Sequence, residues 1–201
     1  MTITAGMVKE LREATAAGIL DCRKALEETG GDFDKAVDYL REKGLAQAAK
    51  RMDREAQEGM IHAYIHAGGR IGVLVEINCE TDFVARTEEF QGFVNDVALQ
   101  IAAMGPLVIE RKDIPTQVLD HERALYRSQA LEEGKPESVV DRIVDGRMEK
   151  FYKQTCLLEQ DFIRDEDQTI DQLLKAQISK TGENIVIRRF TRYQLGESLG
   201  E

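Results

Sequence analysis

The 201-residue chain is long enough to bury a sizeable core and to form one or two domains. With 32% charged and 42% hydrophobic residues, its composition is that of a soluble globular protein, which excludes a disordered or a membrane-embedded chain. A formal net charge of -10 disfavours direct nucleic-acid binding as the main task, because phosphate-binding surfaces carry a basic excess.

Residues 1–6 lack the basic start and apolar run of a secretory signal, and the most apolar windows, 71–77 and 97–109, are too short or too interrupted to span a bilayer. A cytoplasmic protein with no membrane partner is expected. Cys22, Cys79 and Cys156 are widely separated, odd in number and outside any Cys-x-x-Cys pattern, so they read as small buried hydrophobes.

Taken in order, Thr4 is a candidate N-cap for a helix with Met7, Val8 and Leu11 on one face. After a break at Ala16-Ala17-Gly18, Ile19, Cys22 and Leu26 recur at helical spacing until Gly30-Gly31. Asp32 then caps a third helix with Phe33, Ala36, Val37 and Leu40 as its inner stripe, and Gly44 is placed to end it. Residues 1–44 therefore form a three-helix module. Residues 45–58 are polar and helix-prone and read as a linker helix, with Lys50, Arg51 and Arg54 exposed.

Residues 59–201 read as an α+β core. Met60 to Ala67 and Ile71 to Asn78 make a β-hairpin across Gly68-Gly69-Arg70. His62 and His66 would share a helix face, but on a strand they lie roughly 13 Å apart, too far for one metal ion. The glycine-rich turn lacks the Gly-Lys-Ser/Thr ending of a phosphate loop.

At Asn78-Cys79-Glu80-Thr81-Asp82-Phe83-Val84 the strand hands the chain to a helix. Thr81 is a reasonable N-cap, and Asp82 stands in the first turn, where the helix dipole favours a negative charge. Phe83 has two readings here: a lid on its own core, or an apolar plug for another molecule.

Thr87 caps a longer helix whose buried stripe is Phe90, Phe93, Val94, Val97 and Ile101, stopped by Gly105-Pro106. Residues 116–156 form an antiparallel helical hairpin broken at Gly134-Lys135-Pro136. Leu119, Leu125 and Leu131 line one arm, facing Val140, Ile143, Val144, Met148 and Phe151 on the other. Thr169 opens a helix that reaches Gly182, and a final strand over 184–195 completes a small antiparallel sheet covered by helices.

Several of these segments carry a resemblance. Asn78-Cys79 with Thr81-Asp82-Phe83-Val84, Val8-Lys9-Glu10-Leu11-Arg12, Asp21-Cys22-Arg23-Lys24-Ala25-Leu26, Arg41-Glu42-Lys43-Gly44, Gly146-Arg147-Met148 and Gly182-Glu183-Asn184-Ile185 with Arg188-Arg189-Phe190 resemble segments of the elongation factor Ts family. That family consists of guanine-nucleotide exchange factors for elongation factor Tu. The chain departs from the usual pattern at Ala16, where the family has Gly, and at Asp161, where it has Pro.

The resemblance implies a ubiquitin-associated-like N-terminal module that docks on the GTPase domain of elongation factor Tu through Val8, Lys9, Arg12, Ile19 and Leu20. It also implies that Thr81, Asp82, Phe83 and Val84 enter the GTPase and dislodge its Mg²⁺, and that 116–156 is a coiled-coil protrusion. Short family members pair as homodimers, so a homodimer is expected. The rival from another class is a scaffold or adaptor that binds a ubiquitin-like or helical partner through the N-terminal module alone. No Ser-His-Asp set, Cys-His pair or metal cluster suggests an enzyme, and no cofactor is expected.

Overall fold

The structure is a computed structural model that describes residues 2–15 and 17–198. Ala16, one of the two departures noted above, lies outside the described residues. In chain order the elements are α1 (Ala5–Thr15), α2 (Ile19–Glu28), α3 (Phe33–Ala49), β1 (Glu58–Ile65), β2 (Ile71–Cys79), α4 (Asp82–Ala85), α5 (Glu88–Met104), α6 (Thr116–Glu132), α7 (Glu137–Thr155), β3 (Asp161–Phe162), β4 (Asp165–Thr169), α8 (Ile170–Thr181) and β5 (Ile185–Gln194). The fold is α+β, with a three-stranded antiparallel sheet and helices, as the hydrophobic periodicity led us to expect. The chain forms two compact units. One joins the residues up to Gly59 with Asn78–Phe90 and Gln172–Val186; the other holds the remainder.

The first unit begins with the three-helix module. Leu11, Cys22, Ala25, Leu26, Ala36 and Leu40 form its buried core, with Met7, Val8, Phe33 and Val37 packed around them. Local chemistry sets the helix ends. The Thr4 hydroxyl accepts from the Met7 amide at 3.3 Å, and the Asp32 carboxylate accepts from the Lys35 amide at 3.1 Å. Gly30 and Gly31, at φ 66° and 87°, turn the chain out of α2.

One boundary differs from expectation. Gly44 does not end α3, which continues to Ala49. The segment 45–58, expected as a linker helix, is the last part of α3 followed by turns and an extended stretch. The glycine is there for proximity: a Cβ at Gly44 would stand 2.9 Å from the Ser179 hydroxyl on α8. Its missing side chain lets α3 approach α8, and ending a helix is not its task.

The strands β1, β2 and β5 form the sheet in that order. Gly68 and Gly69, at φ 91° and 68°, make the β1–β2 turn. The Leu195 amide donates to the Arg70 carbonyl at 2.8 Å and Arg189 meets Glu76 at 2.6 Å, so β5 runs antiparallel to β2. Val73, Val75 and Ile77 are buried on one face, and Phe93, Val94, Val97 and Ile101 are buried along α5. Gln100, fully buried on α5, donates to the Gln160 side chain and the Asp161 carbonyl and accepts from the Ile163 amide. It thereby pins the β3–β4 hairpin, an element the sequence pattern did not announce.

The α6–α7 hairpin packs Ala130 against a face of Val140, Val144, Met148 and Phe151, with Leu119, Tyr126 and Ile143 beside them. Leu125 and Leu131, expected on the inner face, are exposed. Positions 119, 125 and 131 step by six residues, which turns a helix by about 600° and moves each successive side chain roughly 120° off the seam. Leu119, Tyr126 and Ala130, spaced seven and four, keep to one stripe. Among the described residues no helix is long and apolar enough to cross a membrane.

Candidate functional site

The corner after β2 is built from short-range capping chemistry and then clamped from a distance. Thr81 caps α4: its hydroxyl accepts from the Val84 amide at 3.4 Å. Thr87 closes the far side, accepting from the Phe90 amide at 3.2 Å and donating to the Val84 carbonyl at 2.8 Å. The two threonines thus hold both ends of the short α4 segment.

Two further segments of the same unit hold this corner. Glu183, just after α8, accepts from both the Thr81 amide (3.0 Å) and the Thr81 hydroxyl (2.6 Å). In return, Glu80 accepts from the Asn184 amide at 2.6 Å and pairs with Arg54 at 3.4 Å. Each segment thus offers a carboxylate to the other's backbone N–H, a charge-assisted and geometrically restrictive arrangement. The buried Asn184 amide group donates to the carbonyls of Met52 and Arg54, tying in the turn after α3. Asn78, also buried, donates to the Glu58 carbonyl at 3.1 Å.

Phe83 projects from this frame with 79% of its surface exposed, while Thr81, Asp82 and Val84 are half-buried at its base. It is therefore no lid on its own core. Asp82 forms an ion pair with Arg86 at 2.7 Å, one turn along. Cys79 is fully buried, with its thiol donating to the Thr81 carbonyl. Burial first, and the nearby Glu183 charge second, push that thiol up to about 11, so it is an inert part of the frame.

The three-helix module presents a separate surface. A groove of about 320 Å³ between α1 and α2 is lined by Ile3, Val8, Lys9, Arg12, Ile19 and Arg23, among others. Four of the five N-terminal residues expected from sequence, Val8, Lys9, Arg12 and Ile19, therefore share one concavity. Leu20 does not line it and is largely exposed beside it. Ile3 and Arg23 were not expected. Arg23 lies in the Asp21–Leu26 run and stands four residues after Ile19, so helical spacing could have found it. Glu183 and Asn184 were visible only as part of a motif; no local pattern links Glu183 to Thr81, 102 positions earlier.

Arg188 and Arg189 both reach Glu76, so the basic cluster on β5 is partly neutralised. Among the described residues no group of three or more His, Cys, Asp or Glu side chains could hold a metal ion.

An exposed apolar ring on a braced corner and a cation-rimmed apolar groove are the two surface features that stand out in this unit. Comparison with known sequences shows the family: the family model described as "Elongation factor TS" matches residues 4–197. The chain belongs to the elongation factor Ts family. It is 61% identical over 197 residues to an elongation factor Ts of Thermoanaerobacter sp. (strain X514), covering 98% of this chain and 97% of the relative. Against the elongation factor Ts of Geobacter metallireducens identity is 55% over 201 residues, with 100% and 93% covered. Membership in the elongation factor Ts family places the chain among translation elongation factors.

Proposed function

We propose that this chain acts in the cytoplasm on elongation factor Tu, promoting release of bound GDP so that GTP can replace it. The reading rests above all on Phe83, a large apolar ring exposed to 79% at the tip of a doubly capped, doubly clamped corner. What points to a partner is less the exposure than the setting: the ring stands on a corner held at both ends, a rigid mount that its own fold does not use. Exchange needs no covalent chemistry. The factor binds the nucleotide-free GTPase more tightly than the nucleotide-bound one, and reciprocity obliges it to weaken GDP by the same factor. Phe83 enters between helices of the GTPase domain, and Thr81, Asp82 and Val84 at its base disturb the Mg²⁺ site. Loss of that ion removes the charge that holds the phosphates. Val8, Lys9, Arg12, Ile19 and Leu20 supply affinity and register from the N-terminal module.

Stopped-flow release of fluorescent GDP from elongation factor Tu tests this directly. The wild-type chain accelerates release many-fold; an unchanged spontaneous rate at micromolar concentrations of the chain removes the proposal and leaves the adaptor reading.

We also propose a homodimer, formed through the open face of the sheet. On that face Ile61 and Ile65 of β1, Leu74 of β2 and Tyr193 of β5 are all exposed, with Gly72 lying against Ile65. Exposed apolar side chains on a sheet face are costly to leave in water, and a second copy offers a self-complementary cover.

A further inference from the structure

The Thr81 hydroxyl has one proton to donate and lone pairs to accept with, and which way it turns decides whether α4 is capped. Its proton goes to Glu183 Oε1 at 2.6 Å. With the proton committed there, a lone pair faces the Val84 amide, and the cap forms. The second oxygen of the same carboxylate takes the Thr81 amide at 3.0 Å. Glu183 is itself aimed by its neighbours: Gly182 at φ 77° reverses the chain at the end of α8, and the Glu183 amide donates to the Thr181 hydroxyl at 3.3 Å. The adjoining Asn184 is buried and bonded to two carbonyls, so the carboxylate has a fixed base from which to act.

We infer that Glu183 is a positioning residue for nucleotide exchange, fixing the hydroxyl of Thr81 and through it the direction in which Phe83 leaves the corner. The inference rests on the exchange reading above. An apolar plug that must enter another protein gains from pre-organisation: a ring free to swing still binds, but it reaches the position that opens the nucleotide site less often. Glu183 does not touch the partner in this scheme. Its loss lowers the maximal rate of release and leaves the concentration at half-saturation, which the N-terminal groove largely sets, almost unchanged.

The test is a titration of GDP release from elongation factor Tu with the full chain carrying Glu183→Gln, Thr81→Val, both, or Phe83→Ala. A glutamine keeps size but offers one acceptor in place of two, and it presents an N–H₂ to a donor. The expected result is a roughly tenfold fall in maximal rate for Glu183→Gln, half-saturation within about twofold, and, when Thr81→Val is added, a combined fall clearly smaller than the product of the two single falls. Thr81→Ser, which retains the hydroxyl, restores most of the rate, an outcome that a general loss of stability would not give. A Glu183→Gln chain with the wild-type maximal rate overturns the inference, as does one that changes only half-saturation. Should Glu183→Gln not fold, Glu183→Asp, which keeps the charge but shortens the reach to the Thr81 hydroxyl, takes its place: a similar fall in maximal rate is expected, and a wild-type maximal rate overturns the inference. If the wild-type chain releases no GDP the exchange reading itself fails; if it does and Phe83→Ala does not, only the role of Glu183 is at stake.

Discussion

Because the Phe83 ring leaves its own fold almost untouched, truncating it removes nothing that holds the protein together. Phe83→Ala is expected to keep stability within about 0.5 kcal/mol in urea denaturation. It should nonetheless cut the maximal rate of GDP release strongly, whereas Arg12→Ala chiefly raises the half-saturating concentration. Cys79 offers a second check on the same corner. Its thiol is pushed up to about 11 in the folded chain, against an ordinary value of 9.0, so between those values the unfolded chain has lost a proton that the folded chain keeps. Stability therefore falls as pH rises from about 9 to about 11, and is unaffected by this group below that window. Thermal melts of wild type and Cys79→Ala across the window would expose the difference, and the wild-type thiol should resist alkylation at pH 8. The identity of Thr81 as a cap and Asp82 as a first-turn anion was legible from sequence, because capping is decided within four residues. The bidentate hold of Glu183 was not, since nothing local relates it to Thr81.

Helices show where periodicity serves and where it misleads. The α5 stripe was legible residue by residue, since Phe90, Phe93, Val94, Val97 and Ile101 follow the 3.6 repeat and all are buried. In α6 the attractive leucines step by six and two of the three leave the seam, while the small Ala130 sits within it. This contrast is measurable. Met148→Ala removes buried volume and should cost about 2–5 kcal/mol, whereas Leu131→Ser should stay within about 0.5 kcal/mol. Gly44 gives the corresponding lesson for α3. A glycine before a polar stretch looks like a stop, yet the helix runs on because the residue is needed for a close approach to Ser179. Gly44→Leu is expected to destabilise by about 1–3 kcal/mol in urea, through overpacking against α8 and not through any change in helix propensity.

Across the full fold, the open sheet face is the feature with the largest consequence. Leu74→Asp or Ile65→Lys places a charge at the centre of the proposed self-contact and should convert the dimer to a folded monomer in sedimentation velocity. An unchanged sedimentation coefficient for both variants, or a monomeric wild type, would refute that assembly. Residue pattern and spacing were enough to specify the α+β class, the order of the main helices and strands, the hairpin turn at Gly68-Gly69 and the capped corner, because each follows from periodicity or from groups a few residues apart. Three features had to wait for the packed chain: Glu183 reaching Thr81 across 102 positions, Gly44 lying inside a helix, and Phe83 facing outward. Capping and amphipathic pattern act over one or two turns of chain, whereas which carboxylate meets which hydroxyl, and which apolar ring finds no neighbour, are settled when distant segments come together.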